Sequence, residues 1–187
     1  MTGRPPGPSE PGPFEPGRGD MGAVDAGPGE PAAATAIGLL VAGGHTIGTA
    51  ESLTGGLVAA ALTSVPGASA VFRGGIVAYA ADLKVALLGV PADLIARVGT
   101  VHPEVALAMA RGARGRLSAS IGVGTTGVAG PDPADGQPVG TVHIAVSTPS
   151  GDRHRALALT GSREQVRAAT VDRVLELLVG TLVEETD

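Results

Sequence analysis

Apolar and polar positions change rhythm several times along the chain, and each change marks an element. From residue 32 to 43 small and branched apolar residues dominate AAATAIGLLVAG and stop at Gly43-Gly44, which predicts a helix ended by glycine. Residues 45–50 predict a short strand, 54–64 a helix closed by Pro66-Gly67, and 71–79, with IVAY at its centre, a second strand. Two short helices follow over 82–88 and 91–98, the latter with proline in its first turn. A longer helix is expected over 103–117, where Val105, Leu107, Ala108 and Met109 fall near the helical period. SASIGVGTTG predicts a strand running into a glycine loop, and GPDPADGQP continues as loop. TVHIAV alternates as a strand within 139–147, and HRALAL, across the PSGD turn, predicts its antiparallel partner. Ser162 opens the last helix, Gln165 completes a capping box, and Val166, Thr170, Val174, Leu177 and Leu178 form its buried stripe. Strands alternate with helices early and a hairpin comes late. The expected fold is α/β, a three-layer single domain with a mixed sheet and helices on both faces.

Composition separates the first 31 residues from the rest. They hold eight of the 15 prolines and eight of the 30 glycines, so they are expected to form a disordered tail ahead of a domain over 32–187. The tail also carries five acids against two arginines, a net −3 of the chain's −5, leaving the domain near −2. Such a domain has no basic footprint for nucleic acid. The absence of cysteine excludes thiolate catalysis and cysteine-type zinc sites, and it is compatible with a reducing, cytoplasmic setting. No run of about 18 apolar residues predicts a membrane span.

The chemistry gathers at a few positions. TAESLTGG, residues 49–56, joins a predicted strand to a predicted helix. Ser52 or Thr54 there is either a helix cap or, for Ser52, a nucleophile beside the amides of Gly55 and Gly56, which lack a Cβ to keep a ligand away. Those amides suit a phosphate or an oxyanion. A serine hydroxyl needs a proton acceptor. The four histidines offer no metal-like or catalytic spacing, and His102 is expected to cap a helix. The chain's one lysine, Lys84, stands five residues after its one tyrosine, Tyr79. It is either a solvated helix residue or, if desolvated near Ser52 at the carboxyl edge of the sheet, a base. GVGTTG matches a dinucleotide fingerprint literally, but no helix follows and position 147 is Ser rather than an acid, so that reading fails. Thr125 and Thr126 end the same strand and either form a turn or bind a polar ligand. Arg163 and Arg167, early in the last helix, are either solvated or a bidentate partner for phosphate.

Together TAESLTGG, PGASAVFRGGIVAYAADLK, VHPEVALAMARGA, GTTGVAGPD, PVGTVHIAV and LTGSREQVRAAT resemble, in order, the CinA C-terminal domain family over about residues 34–180. Free-standing members of that family are nicotinamide mononucleotide deamidases. The resemblance implies an amidohydrolase that releases ammonia from nicotinamide mononucleotide, with Ser52 as nucleophile, Lys84 as base and Tyr79 assisting proton transfer or orientation. It implies substrate contacts from Thr54, Gly55, Gly56, Thr126 and Arg163, no metal or organic cofactor, and a homo-oligomer acting on a small nucleotide away from nucleic acid and membrane. The alternative is a nucleotide-binding module or a competence- or damage-associated partner protein without turnover. Leu53 stands where many members have cysteine, and His102 where many have serine. Longer relatives carry a molybdopterin-binding-like domain ahead of this one.

Overall fold

A computed structural model of the chain describes residues 29–185. Residues 1–28 of the expected tail lie outside them. Glu30 and Pro31, assigned to that tail by composition, instead form the first turn of α1 (Glu30–Gly43). A proline is tolerated there because its missing N–H has no intrahelical partner in any case.

Five strands form one sheet: β1 (Ile47–Glu51), β2 (Phe72–Val77), β3 (Ile121–Gly127), β4 (Thr141–Ser147) and β5 (Asp152–Ala158), in spatial order β2-β1-β3-β4-β5. β1 runs parallel to both β2 and β3, while β4 and β5 are antiparallel. The expected late hairpin is therefore present and the sheet is mixed. The remaining helices are α2 (Leu57–Thr63), α3 (Ala81–Leu88), α4 (Ala92–Val98), α5 (Pro103–Arg116) and α6 (Arg163–Glu184).

The sheet separates two hydrophobic layers. On one side Ala33, Ile37 and Leu40 of α1 and Val171, Leu175 and Leu178 of α6 pack with Ile47, Val123 and Ile144 of the strands. On the other, Val105, Met109 and Ala113 of α5 pack with Leu88 of α3, Leu94 of α4 and Ala50. This is the three-layer arrangement expected from the alternation of elements. With few aromatic residues, close packing rests on small ones. A Cβ at Gly122 would land on the Ala110 carbonyl, and one at Gly124 on the Ala106 carbonyl. The glycines of GVGTTG thus let α5 lie directly on β3, which is why that run imitates a nucleotide motif without being one.

The capping box of α6 is formed: Ser162 accepts from the Gln165 amide and Gln165 from the Ser162 amide. Its five expected stripe residues are all buried. His102 caps α5, its Nδ1 accepting from the Glu104 amide at 3.3 Å.

Candidate active site

β1 ends at Glu51, and residues 52–56 turn the chain away from the carboxyl edge of the sheet into α2. Gly55 and Gly56 adopt left-handed backbone, with φ of 61° and 99°, where a side chain would be strained. The helix begins three residues later than expected. Neither Ser52 nor Thr54 caps it; the N-cap is Gly56, without a side-chain bond. The capping comes from Glu51, a residue to which no local cap rule points. Its carboxylate is 1% exposed and accepts from the amides of Gly56 (2.9 Å), Val58 (3.1 Å) and Ala59 (2.8 Å). The Gly55 amide donates to the Ser52 carbonyl at 3.1 Å. Both glycine amides expected to face an anion are therefore engaged by the protein. Among the described residues, the amides of Leu53 and Thr54 donate no such bond.

Three further contacts hold this turn. The Ser52 amide donates to the Thr125 carbonyl at 3.1 Å, and the hydroxyls of Thr54 and Thr125 meet at 2.8 Å. Arg167 donates from Nε to the Leu53 carbonyl and from Nη2 to the Thr54 carbonyl, each at 2.9 Å. Arg167 thus pins the turn from α6. Thr54, expected at the ligand, has its hydroxyl in this buried pair.

Lys84 comes to the same place from α3. It is 1% exposed, not a solvated helix residue. Its Nζ donates to Ser52 Oγ at 3.1 Å, to the Ala78 carbonyl at 2.8 Å and to the Tyr79 carbonyl at 2.9 Å. Burial lowers its pKa from 10.5 to about 8, and the negative charge of Asp135 partly opposes that shift. Ser52 itself is 8% exposed, so the pair sits just beneath the surface.

The other expected residues are placed around this pair rather than on it. Tyr79 lies two residues beyond β2 and is 57% exposed. Its carbonyl holds Lys84, while its phenol accepts from Arg163 Nη2 at 2.9 Å. Arg163 also donates from Nη1 to the Gly130 carbonyl at 2.7 Å, so it bridges the β2–α3 and β3–β4 connections. The Thr126 hydroxyl is buried and donates to the Thr100 carbonyl at 2.8 Å. His143 of β4 and His154 of β5 are half-buried and bonded to each other at 3.1 Å. Burial, then the nearby His154 and His102, push His143 down to about 4. Among the described residues no group of three or more His, Asp or Glu side chains is arranged to hold a metal ion. A cleft of about 870 Å³ between α3, α4 and α5, floored by Leu88, Leu94 and Leu107, is lined by no residue of the 52–56 turn.

The fold and this centre define an α/β domain with a buried serine–lysine pair at the carboxyl edge of its sheet. Its sequence matches the CinA C-terminal domain family over residues 29–182, and the chain belongs to that family. It is 50% identical over 142 residues to a CinA-like protein of Frankia casuarinae, covering 76% of this chain and 33% of that one. It is 47% identical over 139 residues to a putative competence-damage inducible protein of Desulforamulus reducens, covering 74% and 34%. The chain thus spans about a third of the length of these curated relatives. Among solved structures, the competence/damage inducible protein CihA of Agrobacterium tumefaciens superposes with a TM-score of 0.80 at 38% identity, covering 84% of this chain and 98% of that one. A CinA-superfamily protein of Klebsiella pneumoniae superposes equally well, 0.80, at 29% identity over 83% and 98%.

Proposed function

We propose that the protein is an amidohydrolase that deamidates nicotinamide mononucleotide through an acyl-enzyme on Ser52. One observation carries the chemistry: a buried lysine amine 3.1 Å from a serine hydroxyl, with two carbonyls as its other partners among the described residues. A neutral amine has two N–H bonds and one lone pair. The carbonyls of Ala78 and Tyr79 take the two N–H bonds, which leaves the lone pair for the Ser52 proton. The depressed pKa of Lys84 keeps a useful neutral fraction near neutrality.

In the first half-reaction Ser52 Oγ attacks the carboxamide carbon as Lys84 Nζ takes the hydroxyl proton. The C–N bond then breaks as Lys84 returns that proton to the leaving amide nitrogen, and ammonia departs. In the second half, water adds to the acyl ester with Lys84 again accepting a proton, and the acid is released with Ser52 restored. The unpartnered amides of Leu53 and Thr54 are the donors this turn has left for the oxyanion. Arg163, exposed at the start of α6 and using two of its five N–H donors on Tyr79 and Gly130, is the partner for the phosphate.

The test is ammonia release from nicotinamide mononucleotide, the riboside and free nicotinamide by purified protein. The mononucleotide is expected to react fastest. Ser52→Ala is expected to lower turnover by at least about 10³-fold, and Lys84→Ala by about 10² to 10⁴-fold, the range of a general base. Ammonia release at the same rate in all three proteins removes the mechanism; none from any carboxamide removes the activity.

A further inference from the structure

We infer that Asp135 is a positioning residue for the Ser52–Lys84 pair: its carboxylate clasps Thr100 beside the site and so holds the strand end against which the Ser52 turn is bonded. Asp135 lies in the β3–β4 connection, between the mutually bonded Ala134 and Gln137. Its backbone is left-handed, with φ of 52°, a region few non-glycine residues occupy and aspartate tolerates better than most. That conformation is held by a specific contact. Oδ2 accepts from the Thr100 amide at 2.6 Å and from the Thr100 hydroxyl at 2.5 Å. Gly99, just before, presents its Cα face to Asp135; a Cβ there would lie 3.2 Å from the Asp135 Cβ.

Thr100 is held from its other side as well, its carbonyl accepting from Thr126 at 2.8 Å. The neighbouring Thr125 binds the Ser52 amide and the Thr54 hydroxyl. Clasp and nucleophile turn therefore share one strand end. Among the described residues no carboxylate bonds to Lys84; its three partners there are a hydroxyl and two carbonyls. Asp135 is the charged group whose field acts on it, raising its proton affinity against burial, and Lys84 in turn helps the Thr100 hydrogen bonds keep the Asp135 carboxyl below its usual range. The function rests on the reading of Lys84 as a base: that group must take a proton from Ser52 and hand it to the leaving amine. Burial frees the lone pair near neutrality but makes the amine a weaker proton acceptor, and a nearby negative charge restores part of its basicity.

The composition provides a direct measurement. Lys84 is the single lysine, so lysine labelled with ¹⁵N at Nζ or ¹³C at Cε gives one side-chain signal in the full chain, whose titration needs no turnover. Because one oxygen of Asp135 accepts both Thr100 bonds, Asp135→Asn keeps an oxygen for the clasp and removes the charge, whereas Asp135→Ala removes both. The wild-type midpoint is expected near 8 at low salt. Asp135→Asn is expected to lower it by about half a pH unit, the scale of one partly solvated charge, while the Thr100 amide keeps its protection from hydrogen exchange. Added salt is expected to move the wild-type midpoint towards that of the variant. Asp135→Ala is expected to lower the midpoint and expose the Thr100 amide. Equal midpoints in wild type and Asp135→Asn at low salt overturn the charge role, and unchanged Thr100 protection in Asp135→Ala overturns the clasp. A protein that releases no ammonia yet shows these shifts sinks the amidase reading alone.

Discussion

A buried lysine costs a protein stability wherever it is charged, and Lys84 is placed so that the cost has a readable pH window. Its folded pKa is near 8 and its ordinary value 10.5. Between these the unfolded chain binds the proton and the folded chain does not, so this group makes stability rise with pH across that window. Below about pH 8 both states are charged and the folded one bears the whole penalty of roughly 3 kcal/mol. Denaturant unfolding of wild type at pH 7.5 and pH 10 is therefore expected to give a larger free energy at the higher pH than the same pair of measurements on Lys84→Met. Parallel pH dependence in the two proteins would mean that Lys84 is not desolvated.

At the scale of elements, α2 depends on a residue outside it. Glu51 ends β1 and reaches over the turn to the amide of the N-cap Gly56 and to two amides in the first turn of the next helix. Such contacts satisfy donors that a helix leaves open and place a negative charge at the positive end of its dipole. Glu51→Gln sets an amide group where only acceptors fit, and it is expected to lower stability by about 1 to 3 kcal/mol, measured by urea unfolding. Because the same turn carries Ser52, turnover is expected to fall with little change in KM. The local rule that serine and threonine cap helices pointed to Ser52 and Thr54 here, and tertiary placement overrode it. Long elements with a clear apolar period, α5, α6 and the β4–β5 hairpin, were legible because period and capping residues are local properties. The Ser52–Lys84 pairing was legible because a lone lysine just past one strand and a hydroxyl just past its neighbour meet at one sheet edge. The roles of Glu51, Arg167 and Asp135 were not: Arg167 stood out only as a solvated charge or a phosphate partner, and each of the three acts on backbone groups whose positions only the folded chain defines. A carboxylate closing an apolar strand, five residues ahead of a glycine-led helix, was the one local sign of Glu51.

For the whole molecule, the boundary that matters is the one between residue 28 and α1. Composition put it after Pro31, yet the helix starts at Glu30 and the family match starts at residue 29. Ala33, Ala36, Ile37 and Leu40 are at most 4% exposed and pack α1 against α6 and the sheet. Fully burying an Ile or Leu side chain contributes about 1.5 to 3 kcal/mol, and the alanines add to that. Losing the helix therefore removes on the order of 5 kcal/mol, comparable with the whole stability of many domains. Deleting residues 1–28 is expected to leave the melting temperature and ammonia release unchanged, because none of this packing is touched. Deleting residues 1–44 is expected to yield a chain without a cooperative unfolding transition, for the apolar face of α6 then meets water. Ile37→Ala, expected to cost about 2 to 5 kcal/mol by leaving a cavity, gives an intermediate that still folds and tests the same packing. If the longer deletion melts as sharply and as high as wild type, α1 is an appendage, and the layer it forms with α6 does not hold the sheet edge that carries Ser52.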